Sequence, residues 1–128
     1  MSDEDYEIYQ QWWPQVVGPV LRTWYDVGVG DGSPEAFTPG DGANYQRMWT
    51  RITQKRIDLL AETASELWLV ELRHAATSNA VGRLMQYSLL WRKDPVIKKP
   101  LHLFLVTNSF DPELQALCNS LGITYNWI

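Results

Sequence analysis

The sequence predicts an α/β (α+β) domain in which helices flank a mixed central sheet. Two kinds of segment alternate along its 128 residues: short runs rich in leucine, β-branched and aromatic side chains, and longer stretches with apolar residues at helical spacing. Their order is helix, strand, strand, strand, helix, strand, helix, strand. Antiparallel strands followed by strand–helix–strand units are typical of a mixed sheet with helices on its faces. We therefore expect a single domain over residues 1–128.

The N-terminal segments contain one helix and at least two strands. Residues 3–13 begin with acids, which favour a helix N-terminus, and Pro14 is expected to end or kink this helix. Residues 20–28 are β-branched and aromatic, as in a strand. Residues 28–44 predict a Gly/Pro-rich loop, and without a GxxxxGK[ST] pattern a phosphate-binding loop is disfavoured. Residues 48–63 predict one long bent strand or two strands.

The next strand, residues 66–74, carries charges where its pattern calls for apolar side chains. Leu67 and Leu69 share a face with Glu71 and Arg73, because residues two apart in a strand point the same way. A short polar turn precedes this strand and predicts a hairpin with the strand before it. The sequence thus places a carboxylate and a guanidinium side by side on a face that otherwise predicts burial.

The rest of the chain predicts two helices, each followed by a strand. Residues 77–94 have helical spacing and polar capping residues at their start. Residues 100–109 form an apolar run of strand length. Residues 111–122 begin with Asp-Pro and end with glycine, which favours a short helix, and residues 123–128 predict a last strand.

Composition and charge restrict the possible partners. The formal net charge of −4 argues against binding nucleic acid by general electrostatics alone. Basic residues are concentrated after residue 46, since Arg22 is the only one before it, which hints at a basic face. The single cysteine, Cys118, excludes an internal disulfide and a cysteine-based zinc site, and its apolar helical spacing predicts a core position.

Targeting signals are not apparent in the sequence. The N-terminus is acidic and polar, unlike a signal peptide, and no apolar run approaches the roughly 20 residues that cross a bilayer. We therefore expect a soluble protein without a membrane partner, located in the cytoplasm or within a viral particle.

The hairpin brings two carboxylates together. If the turn centres between Ala64 and Ser65, Asp58 lies opposite Glu71, with Cβ atoms about 4.5–5.5 Å apart. Opposed carboxylates repel each other, and Mg²⁺ is a natural counter-ion because hard cations bind carboxylate and phosphate oxygens together. The alternative is an ion pair between Arg73 and one of these acids, without a metal.

The segment from Lys55 to Trp91 resembles the PD-(D/E)XK nuclease superfamily, which has a restriction-endonuclease-like fold. That family places an Asp on one strand and Glu-x-Lys on the next, followed by a helix with a Gln and a Tyr. Here RIDLL supplies Asp58 and VELR supplies Glu71, with Arg73 in place of the catalytic Lys. The later strand–helix–strand is similar to the end of the family fold. The resemblance implies an αβββαβ core plus a C-terminal helix and strand.

The resemblance also implies a set of site residues. Asp58 and Glu71, together with the carbonyl of Leu72, would bind Mg²⁺ or Mn²⁺, and Arg73 would replace the lysine. An acidic residue of the first helix, such as Glu4 or Glu7, is a candidate further ligand. The expected supporting residues on the following helix are Arg83, Gln86 and Tyr87.

Two functions follow from the resemblance and remain open. The first is a divalent-metal-dependent DNA nuclease. The second is a catalytically inactive structural or assembly subunit, for example of a viral or mobile-element particle, that binds protein or DNA or forms a homo-oligomer. The adjacent Trp12 and Trp13 favour the second, because one helix cannot easily bury both against one surface and one of them could anchor a partner.

Overall fold

The computed structural model describes residues 1–16, 18, 20–30 and 55–128. Its elements are α1 (Asp3–Trp12), a 3₁₀ turn (Trp13–Gln15), β1 (Val20–Val29), β2 (Lys55–Thr63), β3 (Leu67–Arg73), α2 (Ser78–Lys93), β4 (Leu101–Thr107), α3 (Pro112–Ser120) and β5 (Thr124–Trp127). This order confirms the predicted succession of helices and strands. Most of the predicted Gly/Pro-rich loop and the first part of the predicted strand at residues 48–63 lie outside the described residues.

The five strands form one mixed sheet in the order β1-β2-β3-β4-β5. β1, β2 and β3 are antiparallel neighbours, whereas β3, β4 and β5 run parallel. In the β2–β3 hairpin, Leu60 pairs with Leu69 and Glu62 pairs with Leu67, which is the register predicted from the short turn. The mixed sheet expected from the sequence is therefore confirmed.

Helices cover both faces of the sheet, so the core has two layers. The larger core lies between the sheet and α2 and α3, and its fully buried members include Ile57, Leu60, Leu67, Leu69, Leu84, Leu105 and Cys118. The smaller core lies beneath α1 and contains Ile8, Trp12, Leu59, Val70, Leu72 and Val106. The predicted core position of Cys118 is confirmed.

The helix ends follow the capping residues in the sequence. Ser2 Oγ accepts a hydrogen bond from the N–H of Asp5, and Thr77 and Asp111 cap α2 and α3 in the same way. Gly122 follows α3 with a φ of +73°, a conformation that glycine adopts without steric cost. These caps fix the directions in which the helices leave the sheet.

Strand β2 is irregular at Asp58, one of the predicted site residues. Ile57 packs on the α2 side and Leu59 on the α1 side, although residues two apart in a regular strand share a face. On the neighbouring strand, Asp26 has a φ of +51° and is skipped by the β1–β2 ladder. The β2–β3 ladder also stops at Leu59. The backbone of Asp58 therefore forms no regular bridge with β1 or with β3.

Candidate functional site

A cleft of about 390 Å³ opens where the start of α1 meets the beginning of β2 and the end of β3. It unites most of the predicted site residues on one surface. The lining residues are Met1, Ser2, Asp5, Lys55, Arg56, Asp58, Glu71, Arg73, Arg83 and Tyr87. Gln86 is exposed on α2 and is not among them.

Asp58 is buried and bonded to the backbone of the neighbouring strand. Its Oδ2 accepts a hydrogen bond of 2.9 Å from the N–H of Leu72. The register that places Asp58 opposite Glu71 is present up to the Leu59–Val70 pair, where the regular ladder ends. A side-chain carboxylate thus replaces a backbone carbonyl as the partner of β3 at this point.

Glu71 is more deeply buried than Asp58, with 2% of its surface exposed. Its Oε1 lies 2.7 Å from Nη2 of Arg73, and Arg73 remains about one-third exposed at the edge of the cleft. The ion pair expected as the alternative to a metal is therefore present. The guanidinium of Arg73 binds one oxygen of Glu71. Asp58 instead accepts its hydrogen bond from the Leu72 N–H.

The electrostatics of this pair disfavour two negative charges. Burial raises the pKa of Asp58 to about 6, against the opposing effect of the Leu72 hydrogen bond. Burial and then the charge of Asp58 raise the pKa of Glu71 to about 8, although the guanidinium of Arg73 opposes this shift. A single guanidinium does not compensate both carboxylates.

Asp5 is a site residue that the sequence interpretation missed. It is buried in α1, and its Oδ1 accepts a hydrogen bond of 3.0 Å from the N–H of His74. Glu4 and Glu7, the acids named from the sequence, are exposed. Helical periodicity could have found Asp5, because it lies three residues before buried Ile8 on the inward face of α1.

Glu62 shows how the same sheet compensates a buried carboxylate completely. Its two oxygens bind Arg22 Nη2 at 2.7 Å and Lys99 Nζ at 2.8 Å. The hydrogen bonds from Lys99 and then Arg22 lower the pKa of Glu62. The charged form of Glu62 is therefore favoured. The raised pKa values of Asp58 and Glu71 show the opposite for these two acids, whose charged forms are disfavoured.

The donor chemistry fits a hard divalent cation. Asp58 and Glu71 offer oxygen ligands, which suit Mg²⁺ or Mn²⁺. Within the described ranges, no group of three or more His, Cys, Asp or Glu side chains is close enough to form a complete metal cage. Mg²⁺ is commonly held by one or two carboxylates while water and substrate phosphate complete its shell, so two carboxylates are sufficient. The Leu72 carbonyl remains a predicted ligand.

The two adjacent tryptophans have different environments. Trp12 is 5% exposed in the core beneath α1, where its ring centroid is 6.2 Å from that of Phe104. Trp13 is partly exposed and stacks on Tyr9 at a centroid distance of 5.7 Å. Packing therefore already covers the Trp12 ring, which leaves Trp13 as the one of the two that could anchor a partner.

None of the helices in the described part of the chain is long and apolar enough to cross a membrane. No family model matches the chain, and no curated protein gives a significant match. Among solved structures, the chain is similar to the crystal structure of a protein of unknown function, AF1548, with a TM-score of 0.54 and 13% sequence identity. The similarity covers 94% of the chain and 54% of AF1548, so the chain spans about half of that protein's length. At this identity the likeness shows the α+β fold alone.

Proposed function

We propose that the chain is a divalent-metal-dependent phosphodiesterase that hydrolyses DNA, as its resemblance to the PD-(D/E)XK nucleases implies. The observation that carries this proposal is the buried Asp58–Glu71 pair, with both pKa values raised, in an open cleft. Buried acids that lack full compensation are concentrated at functional sites. A divalent cation between them would compensate the buried negative charges that the raised pKa values show to be unfavourable.

The cleft also has positive charge for a phosphate. Lys55, Arg56 and Arg83 line it together with Arg73, on the same opening as the two acids. Lys55 and Arg83 are exposed, so both can approach a DNA backbone. This local basic rim offsets the overall negative charge of the chain, which by itself disfavours nucleic acid.

The residues divide the chemistry among themselves. Asp58 and Glu71 would hold Mg²⁺ or Mn²⁺, which when bound supplies a Lewis acid that lowers the pKa of water and stabilises phosphate charge. Asp58 is oriented for this role by the Leu72 N–H. Arg73 neutralises a non-bridging phosphate oxygen with its guanidinium, which stays protonated at neutral pH. Tyr87 lies at the wall of the cleft. From there its hydroxyl can contact the sugar–phosphate backbone of a bound DNA strand.

The test is cleavage of supercoiled and linear DNA with Mg²⁺ or Mn²⁺, comparing the wild type with Glu71→Ala and Glu113→Ala. Glu113 is an exposed acid of α3 outside the cleft and serves as the matched control. We expect metal-dependent cleavage that Glu71→Ala abolishes and Glu113→Ala preserves. Absence of cleavage by folded wild-type protein, on both DNA forms and with both metals, contradicts the proposal.

The second candidate function is a catalytically inactive binding or assembly subunit, and one observation favours it. The 2.7 Å ion pair between Arg73 and Glu71 occupies an oxygen that a metal would need. In that case Arg73 stays paired with Glu71 and the two acids bind no metal. Mn²⁺ would then leave the melting temperature unchanged, which distinguishes this function from the first without an activity assay.

A further inference from the structure

An aromatic surface lies along α1 and β1, and two of its rings, Tyr9 and Trp13, also pack against the smaller core. Tyr6, Tyr9 and Trp13 stack in a row along α1, with centroid distances of 5.9 Å and 5.7 Å. Tyr25 of β1 extends the row, since its ring meets that of Tyr9 edge-on at 5.7 Å and the two hydroxyls are 2.8 Å apart. We call these four residues the aromatic surface.

Much of the aromatic surface is accessible. Tyr6 is 50% exposed and Tyr25 48%. The stacking and the hydroxyl contact hold the rings in fixed positions, so a partner would lose little side-chain freedom on binding. Rigid, amphipathic rings of this kind are typical anchors of protein interfaces.

Acidic side chains border the aromatic surface. Asp3 and Glu7 are exposed and flank Tyr6 on α1, three residues before it and one after it. In the described part of the chain, neither is paired with a cation. The two acids are four residues apart on one helix, a spacing at which like charges repel each other. The helix N-terminus favours Asp3, whereas Glu7 lies beyond the first turn.

We propose that the aromatic surface docks an arginine-rich segment of a partner protein. A guanidinium plane can stack on Tyr6 and at the same time pair with the carboxylate of Asp3, one turn earlier on the same helix. A second guanidinium of the segment can stack on Trp13. Lysine carries the same charge but lacks the planar fork, so it stacks less well. Charge disfavours the other partners: the acids repel the phosphates of nucleic acid, and a symmetric pair that packs the two aromatic surfaces on each other brings four of these acids together.

The test measures binding of a synthetic peptide of alternating Arg and Gly to the full chain, by fluorescence polarisation at near-physiological salt. The Tyr6→Ser variant removes a ring, and the double variant Asp3→Asn/Glu7→Gln removes the charges. We expect each to weaken binding about three- to tenfold, from the loss of a cation–π contact or an ion pair. A lysine version of the peptide should bind the wild type more weakly than the arginine version.

Matched controls come from the opposite edge of the sheet. Phe110 is 48% exposed, close to the value for Tyr6, and Glu113 is an exposed acid. Phe110→Ser and Glu113→Gln should leave binding unchanged. The variant Asp3→Lys/Glu7→Lys should lose the arginine peptide and gain a peptide of alternating Glu and Gly, which keeps the test valid if Tyr6→Ser is poorly folded.

Several results would overturn the proposal. These are no binding of the arginine peptide, equal binding of the lysine peptide, or an equal loss in Phe110→Ser. Self-association of the wild-type chain in sedimentation, abolished by Tyr6→Ser, would assign the surface to a second copy instead. None of these outcomes depends on DNA cleavage, so the docking proposal stands or fails independently of the proposed nuclease function.

Discussion

The N–H of Leu72 and Oδ2 of Asp58 form a buried hydrogen bond of 2.9 Å across the β2–β3 hairpin. The same carboxylate is a predicted metal ligand, so Asp58 has a structural role and, in the proposed function, a chemical one as well. These roles depend on different properties of the side chain, because the hydrogen bond needs an acceptor oxygen and the metal needs a negative charge.

Replacement of Asp58 should separate the two roles. Asp58→Ala leaves the buried Leu72 N–H without an acceptor and should lower the free energy of unfolding by about 1–3 kcal/mol. Asp58→Asn keeps an acceptor oxygen and should retain most of the stability, while both variants lose metal-dependent cleavage. Urea denaturation of the two variants measures the difference. Equal destabilisation by both would mean that the Leu72 hydrogen bond depends on charge.

Stability should decrease as pH rises through neutrality. Burial raises the pKa of Asp58 to about 6 and that of Glu71 to about 8, above the unfolded values of about 4. Between these limits the folded chain holds more protons than the unfolded chain. The free energy of unfolding therefore falls with rising pH, by up to about 1.4 kcal/mol per pH unit for each extra proton. Below a pH of about 4 both states are protonated at these groups, so the pH dependence ends and their stabilising contribution is fully present.

The control for this pH dependence is a neutral isostere at the more buried acid. Glu71→Gln should remove the decrease between about pH 6 and pH 8, because it removes the proton that is lost there. Glu113→Gln, at an exposed acid of α3, should leave the decrease in place. Denaturation curves of the three proteins at several pH values measure the effect, and a wild-type stability that rises over this range contradicts the pKa shifts.

Divalent metal should stabilise the fold if the two acids bind it. At a free concentration of about 100 times its Kd, a ligand adds about 2.7 kcal/mol to the free energy of unfolding. We expect Mn²⁺ to raise the melting temperature of the wild type, a chelator to reverse the rise, and Asp58→Asn or Glu71→Gln to abolish it. An equal rise in the Glu71→Gln variant would place metal binding elsewhere.

The side chain at position 73 should determine the rate of cleavage. Arg73→Lys introduces the lysine of the PD-(D/E)XK pattern that the sequence resembles and frees Glu71 from a wide guanidinium fork, so in the proposed function we expect cleavage to be kept or increased. Arg73→Met removes the charge that faces the phosphate and should lower kcat by roughly 10²–10³-fold. Single-turnover cleavage at saturating metal measures both. Loss of activity in Arg73→Lys with full activity in Arg73→Met would refute the role given to this position.

The two tryptophans of α1 should differ in their contribution to stability. Trp12→Ala opens a cavity beneath α1 and should cost about 3–5 kcal/mol of unfolding free energy, as large core truncations do. Trp13→Ala removes a partly exposed ring stacked on Tyr9 and should cost much less. Chemical denaturation compares them, and similar losses would show that Trp13 also carries the packing of this helix.

Local patterns in the sequence were enough to predict the architecture. The order of helices and strands follows from apolar periodicity and capping residues, each of which acts within a few residues. The hairpin register follows from its short turn, which ties the positions of Asp58 and Glu71 together. The proximity of these two acids in the cleft was therefore accessible from the sequence.

Longer-range relationships were not accessible in the same way. The burial of Asp5 depends on α1 packing across β3, and its hydrogen bond joins residues 69 positions apart. The compensation of Glu62 needs Arg22 and Lys99, which come from separate parts of the chain. The break at Asp58 arises where two neighbouring strands are irregular together, and no short motif specifies such a break.

The partner of the Leu72 amide also has a consequence for hydrogen exchange. β3 is flanked by paired strands on both sides, and amides in such central strands exchange mainly when the whole domain unfolds. The Leu72 amide instead depends on an oxygen that can be protonated or drawn towards a cation. The deuterium uptake of the Leu72 amide should therefore change with pH and with added metal, while the neighbouring amides of β3 exchange slowly. This one amide would then report metal binding at Asp58 without any substrate.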